Sequence, residues 1–278
     1  MKGLGRRQIG GREVRRFQGV IYDHYRRHGR RLPWRKTRNP YRILVSEVML
    51  QQTQAERVVP KYGQFIEAFP TFESLARARS STVLKVWQGL GYNRRAIALK
   101  KTAERVVSEF KGTLPKDPET LKGFPGIGPA TAASIAAFAF NKPALVLETN
   151  VRTVFIQYFF PHKGKVSDEE ILALLERTLD RKNPRKWYNA LMDYGAMLKR
   201  LHDNPSRRSL QYRKQGPFEG SNRQVRGAVI KVLTQRRCAS ISQLAAVLDL
   251  SEEKIGGAVA QLQGEGLVHT KRGVVHLG

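Results

Sequence analysis

The chain has a single cysteine, few acidic residues and no long hydrophobic run. One cysteine, Cys238, can form neither an intrachain disulfide nor a metal cluster built on several cysteines. No apolar stretch approaches the ~20 residues that a membrane-spanning helix needs, and residues 1–16 lack the apolar core of a secretory signal. These absences predict an intracellular, cytoplasmic protein with no membrane partner, in which Cys238 is a small buried apolar residue.

The shortage of acidic residues leaves a large positive charge. Lys and Arg number 50 against 23 Asp and Glu, which gives a net charge of +27 in 278 residues and a pI near 10.7. A charge of this size exceeds what solubility requires and indicates a polyanionic partner. The chain is 41% hydrophobic and can bury a full core, and its length suggests about two domains.

The most informative motif is a glycine-rich turn at residues 121–131, Leu-Lys-Gly-Phe-Pro-Gly-Ile-Gly-Pro-Ala-Thr. Pro125 ends one helix, and Gly126 and Gly128 permit backbone conformations that expose N–H groups at the start of the next. A helix N-terminus of this kind binds anions such as phosphate. The alternative is an ordinary corner between two helices, with glycines that serve packing alone.

Hydrophobic spacing predicts helices, and no sheet, between residues 14 and 201. The predicted helices span 14–27, 41–54, 55–69, 71–78, 81–86, 93–110, 118–122, 130–139, 150–159, 168–179 and 184–201. A basic arm at 1–16, either touching phosphates or merely solvated, precedes them. Residues 201–220 lack apolar periodicity and are rich in Arg, Ser, Pro, Gly and Gln, which predicts a linker.

Residues 221–278 have the pattern of three helices followed by a hairpin. Helices are predicted at 225–233, 241–248 and 252–264, and a ribbon at 267–270 and 274–277 with Lys271 and Arg272 near its tip. This order is typical of a winged helix-turn-helix domain, whose third helix enters a major groove while the wing lies on the DNA backbone. Glu252 and Glu253 make that helix only weakly basic, so a winged helix that binds protein is the alternative.

Six ordered sequence blocks with near-constant spacing lie between residues 32 and 197. They are Leu32-Pro33-Trp34-Arg35, Asn39-Pro40-Tyr41, Ser46-Glu47-Val48-Met49-Leu50-Gln51-Gln52-Thr53-Gln54, Gly89-Leu90-Gly91-Tyr92, Pro125-Gly126-Ile127-Gly128 and Met192-Asp193-Tyr194-Gly195-Ala196-Met197. Through these blocks, residues 17–198 resemble the helix-hairpin-helix (HhH-GPD) DNA glycosylases, and among them the MutY-type adenine glycosylases. The resemblance implies an all-α, two-lobed fold with a helical barrel at about 40–145, a second lobe from 17–39 and 146–200, and an active site in the cleft between them.

The resemblance implies removal of a base that is swung out of the duplex, with two carboxylates at the reaction. Glu47 resembles the acid of the family. A buried position would raise the pKa of its carboxyl group and let it donate a proton near neutral pH. A structural carboxylate that caps a neighbouring helix is the alternative. Glu148 would stabilise the sugar cation, or its covalent adduct, and assist water. Gly126, Ile127 and Gly128 would hold a DNA phosphate.

Other matching residues are implied to contact DNA around the pocket. Gln51 and Gln52 would enter the duplex to fill the gap or contact the opposing base, although paired glutamines can simply be exposed helix residues. Tyr92 resembles the aromatic side chain wedged beside the opposing base, with a plain core tyrosine as the alternative. Arg35 and Asn150 match polar groups that would orient carboxylates or the extruded nucleotide.

The chain departs from the family pattern at two pocket positions. Glu148 stands where the family has aspartate and extends the charge by one methylene, a reach of about 1.3 to 1.5 Å. Ala130 stands where bifunctional relatives carry a Schiff-base lysine and where MutY relatives often have a tyrosine or serine. Since no amine stands ready to attack the sugar, we expect a monofunctional enzyme without lyase activity that leaves an abasic site.

Two further departures concern a cofactor and the C-terminus. The family usually has four cysteines that bind a [4Fe–4S] cluster, and here those positions are Lys199, Ser206, Ser209 and Gln215. We therefore expect no iron–sulfur cluster and no other cofactor or metal. The winged helix replaces the MutT-like domain with which adenine glycosylases sense 8-oxoguanine.

The sequence thus predicts a monomeric, nucleoid-associated DNA glycosylase of base excision repair acting on double-stranded DNA with a mismatch or damaged base. The predicted reaction is hydrolysis of the N-glycosidic bond of adenine opposite 8-oxoguanine or guanine. Two alternatives stay open. One is a mismatch thymine or uracil glycosylase on the same scaffold, and the other is a non-catalytic DNA-binding regulator whose pocket has decayed.

Overall fold

The structure is a computed structural model that describes residues 9–278. Within that range it is mostly helical, and its β-strands lie only between residues 238 and 277. None of the described helices is both long enough and apolar enough to cross a bilayer. The described chain forms two compact units, each composed of several chain segments.

The first unit contains residues 9–43, 116–122 and 127–214. Its complete helices are α1 (Gly11–His28), α7 (Pro118–Lys122), α8 (Pro129–Phe140), α9 (Thr149–Phe159), α10 (Asp168–Thr178) and α11 (Pro184–Leu201), with 3-10 turns at Pro33–Lys36 and Pro205–Arg208. Helix α11 packs on α1, α8 and α9. An aromatic cluster fills the core, where the Phe17 ring centroid lies 5.3 Å from that of Phe155 and 5.7 Å from that of Trp187. This packing fixes α9, whose N-cap is Glu148 and whose first turn contains Asn150, and α11, whose middle contains Asp193.

Helix α1 begins earlier than its predicted start at residue 14. It starts at Gly11, and Ile9 just before it is 3% exposed within the first unit's core. Burial of Ile9 holds the start of α1 against this core, which the polar and basic sequence did not reveal. Residues 11–16 of the predicted basic arm are therefore helical, and residues 1–8 lie outside the described residues.

The second unit contains residues 44–115, 123–126 and 215–278. Helix α2 (Pro40–Leu50) enters it from the first unit, and α3 (Ala55–Ala68), α4 (Phe72–Arg77), α5 (Ser80–Trp87) and α6 (Arg94–Phe110) follow. Helix α6 packs on α4 and α5, and α3 packs on α5. Residues 127–145, which the sequence analysis assigned to the helical barrel, belong to the first unit. The boundaries of the two lobes stay predictions.

The C-terminal part of the second unit combines three helices with a small sheet. Its elements are α12 (Asn222–Arg236), β1 (Cys238–Ser240), α13 (Ile241–Leu248), α14 (Glu252–Gly264), β2 (Val268–Lys271) and β3 (Val274–Leu277). All strand pairs are antiparallel in the order β1-β3-β2, with Cys238 opposite His276 and His269 opposite His276. Helix α12 also packs on α5. The three helices and the hairpin expected from the sequence are present, and the assignment of a winged helix to them stays a prediction.

Two sequence expectations differ in this region. Strand β1 was not predicted, and Cys238 at its start is a partly exposed strand residue rather than a buried one. A three-residue strand is too short to give an alternating pattern, so only its pairing with β3 defines it.

The predicted linker at 201–220 is ordered in its first half by contacts with the first unit. Ser206 and Ser209 are buried, and the backbone on either side of Ser209 pairs with Val166. The Arg208 guanidinium donates to the carbonyls of Phe160 and Pro161 at 2.7 and 2.9 Å. These bonds join distant parts of the chain, so a search for apolar periodicity could not find them.

Candidate active site

Glu47 lies in the middle of α2 and is 9% exposed. Its neighbours on the helix, Leu44, Val45 and Val48, are almost fully buried, as is Ser46. A carboxylate in such surroundings costs free energy unless it is partnered or serves a reaction. Glu47 is thus buried, as the sequence predicts.

Glu148 occupies the N-cap position of α9 but does not cap the helix with its side chain. Its Oε1 lies 3.4 Å from the Ser134 hydroxyl of α8 instead. Although the residue is partly accessible, burial of the carboxyl group raises its pKa, while the Ser134 hydrogen bond and the charges of Arg152 and Lys199 work in the opposite direction. Glu148 is thus a carboxylic acid with a raised pKa whose side chain bonds to Ser134 and does not cap α9.

Asn150 lies in the first turn of α9, where this helix meets α11. A Cβ at Gly195 would come within 2.4 Å of the Asn150 carbonyl oxygen, so only glycine allows this approach. The Asn150 amide lies 3.7 Å from the Met192 sulfur. Gly195 is therefore required by the close approach of α11 to the start of α9, and Asn150 lies two residues after Glu148 in the chain.

Arg35 is bonded to a buried carboxylate that the sequence analysis did not single out. Its Nη1 and Nη2 donate to Asp193 Oδ2 and Oδ1 at 2.7 and 2.8 Å, and Arg30 Nε donates to Oδ1 at 2.6 Å. Burial acts to raise the pKa of Asp193, but the two guanidinium groups hold it below its usual range. Arg35 therefore pairs with the Asp193 carboxylate, and its role at the base pocket stays a prediction. Membership of Asp193 in the sixth block was the available signal.

Of the two glycines expected to shape the glycine-rich turn, only Gly126 has a backbone conformation that requires glycine. Gly126 has φ +74°, and a Cβ there would lie 2.8 Å from the Ala98 Cβ, so the position requires glycine. Gly128 has φ −84°, precedes Pro129 as the N-cap of α8 and has open space where a Cβ would be. Ile127 between them is buried, and Ala130 is exposed in the first turn of α8. No side chain of the N-cap covers the start of α8.

The residues after α2 form a turn rather than continuing the helix. Helix α2 ends at Leu50, not at the predicted residue 54, and the exposed Gln52 has φ +53°. The Gln51 amide donates to the Gly126 carbonyl at 3.0 Å. The structure thus brings one predicted DNA-contacting residue onto the glycine-rich turn.

Arg95 of α6 was missed by the sequence analysis and joins this turn to the one that carries Tyr92. Its Nη1 donates to the carbonyls of Val48 and Met49, at 2.9 and 2.8 Å, and to that of Gln51. Its Nη2 donates to the Thr53 hydroxyl at 3.0 Å and to the carbonyls of the Gly-Leu-Gly turn, residues 90 and 91, at 3.2 Å. A cation bonded to the last carbonyls of α2 stabilises the end of the helix that carries Glu47.

Tyr92 is 36% exposed with φ +48°, and the Arg95 guanidinium lies 5.3 Å from its ring centroid. Burial lowers the pKa of Arg95 to about 10, which leaves it charged at neutral pH. The alternative of a plain core tyrosine does not fit this exposure. No pattern around residues 93–96 distinguishes Arg95 from neighbouring Arg94, so only the structure identifies it.

Comparison with known proteins points to the same family as the six sequence blocks. The sequence profile of the HhH-GPD superfamily of base excision DNA repair proteins matches residues 45–181. The chain is 32% identical over 256 residues to a Mycobacterium tuberculosis protein named adenine DNA glycosylase, covering 82% of this chain and 80% of that relative. The chain belongs to the HhH-GPD superfamily. The resemblance inferred from the six blocks is confirmed.

Other relatives of this HhH-GPD protein are also named adenine DNA glycosylases. An adenine DNA glycosylase of Buchnera aphidicola subsp. Baizongia pistaciae is 36% identical over 194 residues, which covers 68% of this chain and 54% of that protein. The chain spans about half the length of several curated relatives that it matches.

Solved structures of HhH glycosylases share the fold. A thermostable thymine-DNA glycosylase aligns with a TM-score of 0.61 at 28% identity, covering 67% of this chain and 87% of that one. An endonuclease III–DNA covalent intermediate aligns with a TM-score of 0.55 at 19% identity, covering 76% and 92%. The all-α HhH glycosylase fold predicted from the sequence is confirmed.

The residues at the cluster positions do not suit the iron–sulfur cluster common in this HhH-GPD group. Ser206 Oγ lies 2.8 Å from Asn204 Oδ1, and Ser209 Oγ lies 3.3 Å from Gln211 Oε1, so both hydroxyls have local partners. Lys199 and Gln215 bring no thiolate either, and cluster irons need thiolate ligands. In the part of the chain that the structure describes, no three His, Cys, Asp or Glu side chains are grouped as metal ligands.

Proposed function

We propose that the protein is a monofunctional DNA glycosylase of base excision repair that hydrolyses the N-glycosidic bond of adenine opposite 8-oxoguanine or guanine. The observation that carries the proposal is Glu47, a carboxylate buried among the apolar side chains of α2 in an HhH-GPD chain. The names of its relatives, adenine DNA glycosylases, support adenine as the base.

In the proposed reaction the adenine nucleotide leaves the duplex and enters the pocket. Glu47 donates a proton to the base, the C1′–N bond breaks, and the bonding electron pair leaves with the base. Glu148, as a carboxylate, stabilises the positive charge that develops on the sugar and assists the water that attacks C1′. Water supplies the hydroxyl at C1′ and gives its other proton to the Glu148 carboxylate, and the products are free adenine and an abasic site.

The proposed DNA contacts use the glycine-rich turn and the two turns joined by Arg95. Gly126, Ile127 and Gly128 present backbone N–H groups at the start of α8 to a phosphate. Gln51, Gln52 and Tyr92 face the gap and the opposing base. The net charge of +27 supplies the non-specific attraction to the duplex.

The absence of a lysine at position 130 supports a monofunctional reaction. The side chain there is the methyl group of Ala130, which cannot form a Schiff base with the sugar. Asn150 is proposed to orient the extruded nucleotide beside Glu148. The protein is proposed to act as a monomer at the nucleoid, without an iron–sulfur cluster or other cofactor, and residues 221–278 are proposed to be a winged helix that binds DNA.

A second candidate is a mismatch thymine or uracil glycosylase. It is favoured by the 28% identical thymine-DNA glycosylase structure and by the altered pocket positions Ala130 and Glu148. The remaining alternative, a DNA-binding regulator without catalysis, conflicts with retention of Glu47, Gln51 and Gln52 in one block.

One panel of duplexes tests these candidates. Duplexes with A:8-oxoG, A:G, T:G, U:G and hypoxanthine pairs are incubated with the protein and then treated with alkali, which cuts abasic sites. Adenine release supports the main proposal, and release of thymine or uracil alone selects the second. If the wild type and Glu47→Gln bound lesion DNA equally and neither released a base, the regulator would be favoured. Cleavage without alkali would contradict the monofunctional mechanism.

A further inference from the structure

The hydroxyl group of Tyr92 is held by two side chains from the C-terminal part of the second unit. Gln215 Nε2 donates to it, and Arg223 Nη1 donates to it at 3.1 Å. Gln215 belongs to the predicted linker, and Arg223 lies in the first turn of α12. The side chain expected to contact the opposing base is therefore bonded to residues beyond the glycosylase segment 17–200.

Arg223 also fixes the segment that carries Gln215. Its Nη2 donates to the Gly216 carbonyl at 2.7 Å and to the Pro217 carbonyl at 3.3 Å. Ser221 caps α12 by accepting a bond from the Gln224 N–H, which sets the start of the helix. One guanidinium thus holds the backbone of residues 216–217 and the phenol of Tyr92 in a defined arrangement.

This arrangement fixes where the phenol ring stands. Arg223 donates to its oxygen at 3.1 Å, and Gln215 bonds to the same oxygen. The Arg95 guanidinium lies 5.3 Å from the ring centroid. A ring held at its hydroxyl and over its face is preorganised, so it loses less conformational freedom when it contacts the opposing base.

We propose that Gln215 and Arg223 are positioning residues that set the enzyme's preference for the base opposite the excised adenine, by holding the Tyr92 side chain in one orientation. This inference rests on the proposed glycosylase function. It assigns to the C-terminal segment a part in opposing-base selection that acts through Tyr92.

The test is a double-mutant cycle on opposing-base preference. Single-turnover adenine release is measured for A:8-oxoG, A:G and A:C duplexes with wild type, Tyr92→Phe, Arg223→Met and the double variant. We expect Arg223→Met to reduce the rate ratio between A:8-oxoG and A:C by about tenfold, the value of one hydrogen bond of about 1.4 kcal/mol. In the Tyr92→Phe background the same change should have no further effect, because the hydroxyl is gone.

A matched charge-loss control is Lys231→Met on the exposed face of the same helix. It should lower affinity for all duplexes evenly, as loss of a non-specific charge does, and leave the ratio unchanged. Arg223→Lys, which retains a donor, should recover part of the ratio. Thermal unfolding of each variant confirms that it is folded.

Two results would overturn the inference: an Arg223→Met ratio equal to that of Lys231→Met, or an equal effect of Arg223→Met with and without the Tyr92 hydroxyl. Binding of Glu47→Gln proteins to the same duplexes, followed by fluorescence anisotropy, provides a readout that needs no catalysis. Should the wild type release no base, the proposed function fails. The ratios of binding affinity between the A:8-oxoG and A:C duplexes, measured across the same set of variants, then still test the role of Arg223.

Discussion

Arg35 and Asp193 form a two-point ion pair in which Nη1 lies 2.7 Å from Oδ2 and Nη2 lies 2.8 Å from Oδ1. The Arg35 and Asp193 side chains are 10% and 1% exposed. Arg35 precedes α2, which carries Glu47, and Asp193 lies in α11 two residues before Gly195. The pair therefore secures the chain leading into α2 to the helix that packs behind Glu148.

Arg35→Met should destabilise the protein strongly. Removing one partner leaves the Asp193 carboxylate buried with only Arg30 to compensate it, which costs about 3 kcal/mol of unfolding free energy. Urea unfolding at neutral pH measures the loss. Arg27→Met is the control, because its pair with Asp23 is exposed and should contribute nothing measurable.

The same pair predicts a pH dependence of stability. The folded pKa of Asp193 lies below its unfolded value, so its contribution is complete above the unfolded pKa of about 3.9 and is lost as pH falls through the folded pKa. The stability gap between wild type and Arg35→Met should therefore be constant near neutrality and shrink below about pH 4. A gap independent of pH down to acid unfolding would contradict the assigned ion pair.

The pKa of Glu148 predicts a pH limit on base release. Because burial raises this pKa, the carboxylate needed in the reaction should be lost on the acid side at a higher pH than an ordinary glutamate, about 4.3, would give. Ser134→Ala removes a hydrogen bond that lowers this pKa, so the acid limb of the single-turnover rate should move to still higher pH. Glu148→Gln should reduce the rate by about 100-fold or more and retain duplex binding. An acid limb unmoved in Ser134→Ala would show that Glu148 does not control it.

The family and helical fold could be predicted from sequence because they depend on local signals. Pro125, Gly126 and Gly128 impose turn chemistry on their own segment, and the apolar spacing of α8 and α9 defines buried helix faces. The burial of Glu47 could be anticipated for the same reason, since its helix is apolar on either side.

Other features depend on contacts between residues far apart in the chain. The end of α2 at Leu50 follows from carbonyls bonded by Arg95, 45 or more residues away, and order in the predicted linker follows from Arg208 bonding to carbonyls near residue 160. Helix propensity and periodicity describe single segments of the chain. They therefore cannot predict hydrogen bonds between residues as far apart as these. The pairing of Arg35 with Asp193 was missed for the same reason, although Asp193 belongs to the sixth block.

The two glycines of the turn should respond differently to alanine. Gly126→Ala forces a Cβ into the left-handed region and to within 2.8 Å of the Ala98 Cβ, with a cost of about 1 to 3 kcal/mol. We expect a lower melting temperature and weaker binding to a duplex with an abasic-site analogue. Gly128→Ala has φ −84° and open space, so its melting temperature should match that of the wild type. Equal melting temperatures for all three proteins would contradict the strained geometry at Gly126.

Arg95→Met should loosen both turns at once. The substitution removes charge-assisted hydrogen bonds to carbonyls at the end of α2 and in the Gly-Leu-Gly turn, each worth about 1.5 to 3 kcal/mol, together with the contact on the Tyr92 ring. Amide hydrogen exchange should accelerate in residues 50–54 and 89–93, and adenine release should slow because Glu47 sits on the freed helix end. Arg94→Met is the matched control, since the Arg94 side chain is 72% exposed and its nearest carboxylate, on Glu265, is 3.8 Å away. If exchange rose equally in Arg94→Met and Arg95→Met, the coupling of the two turns would not depend on the Arg95 bonds.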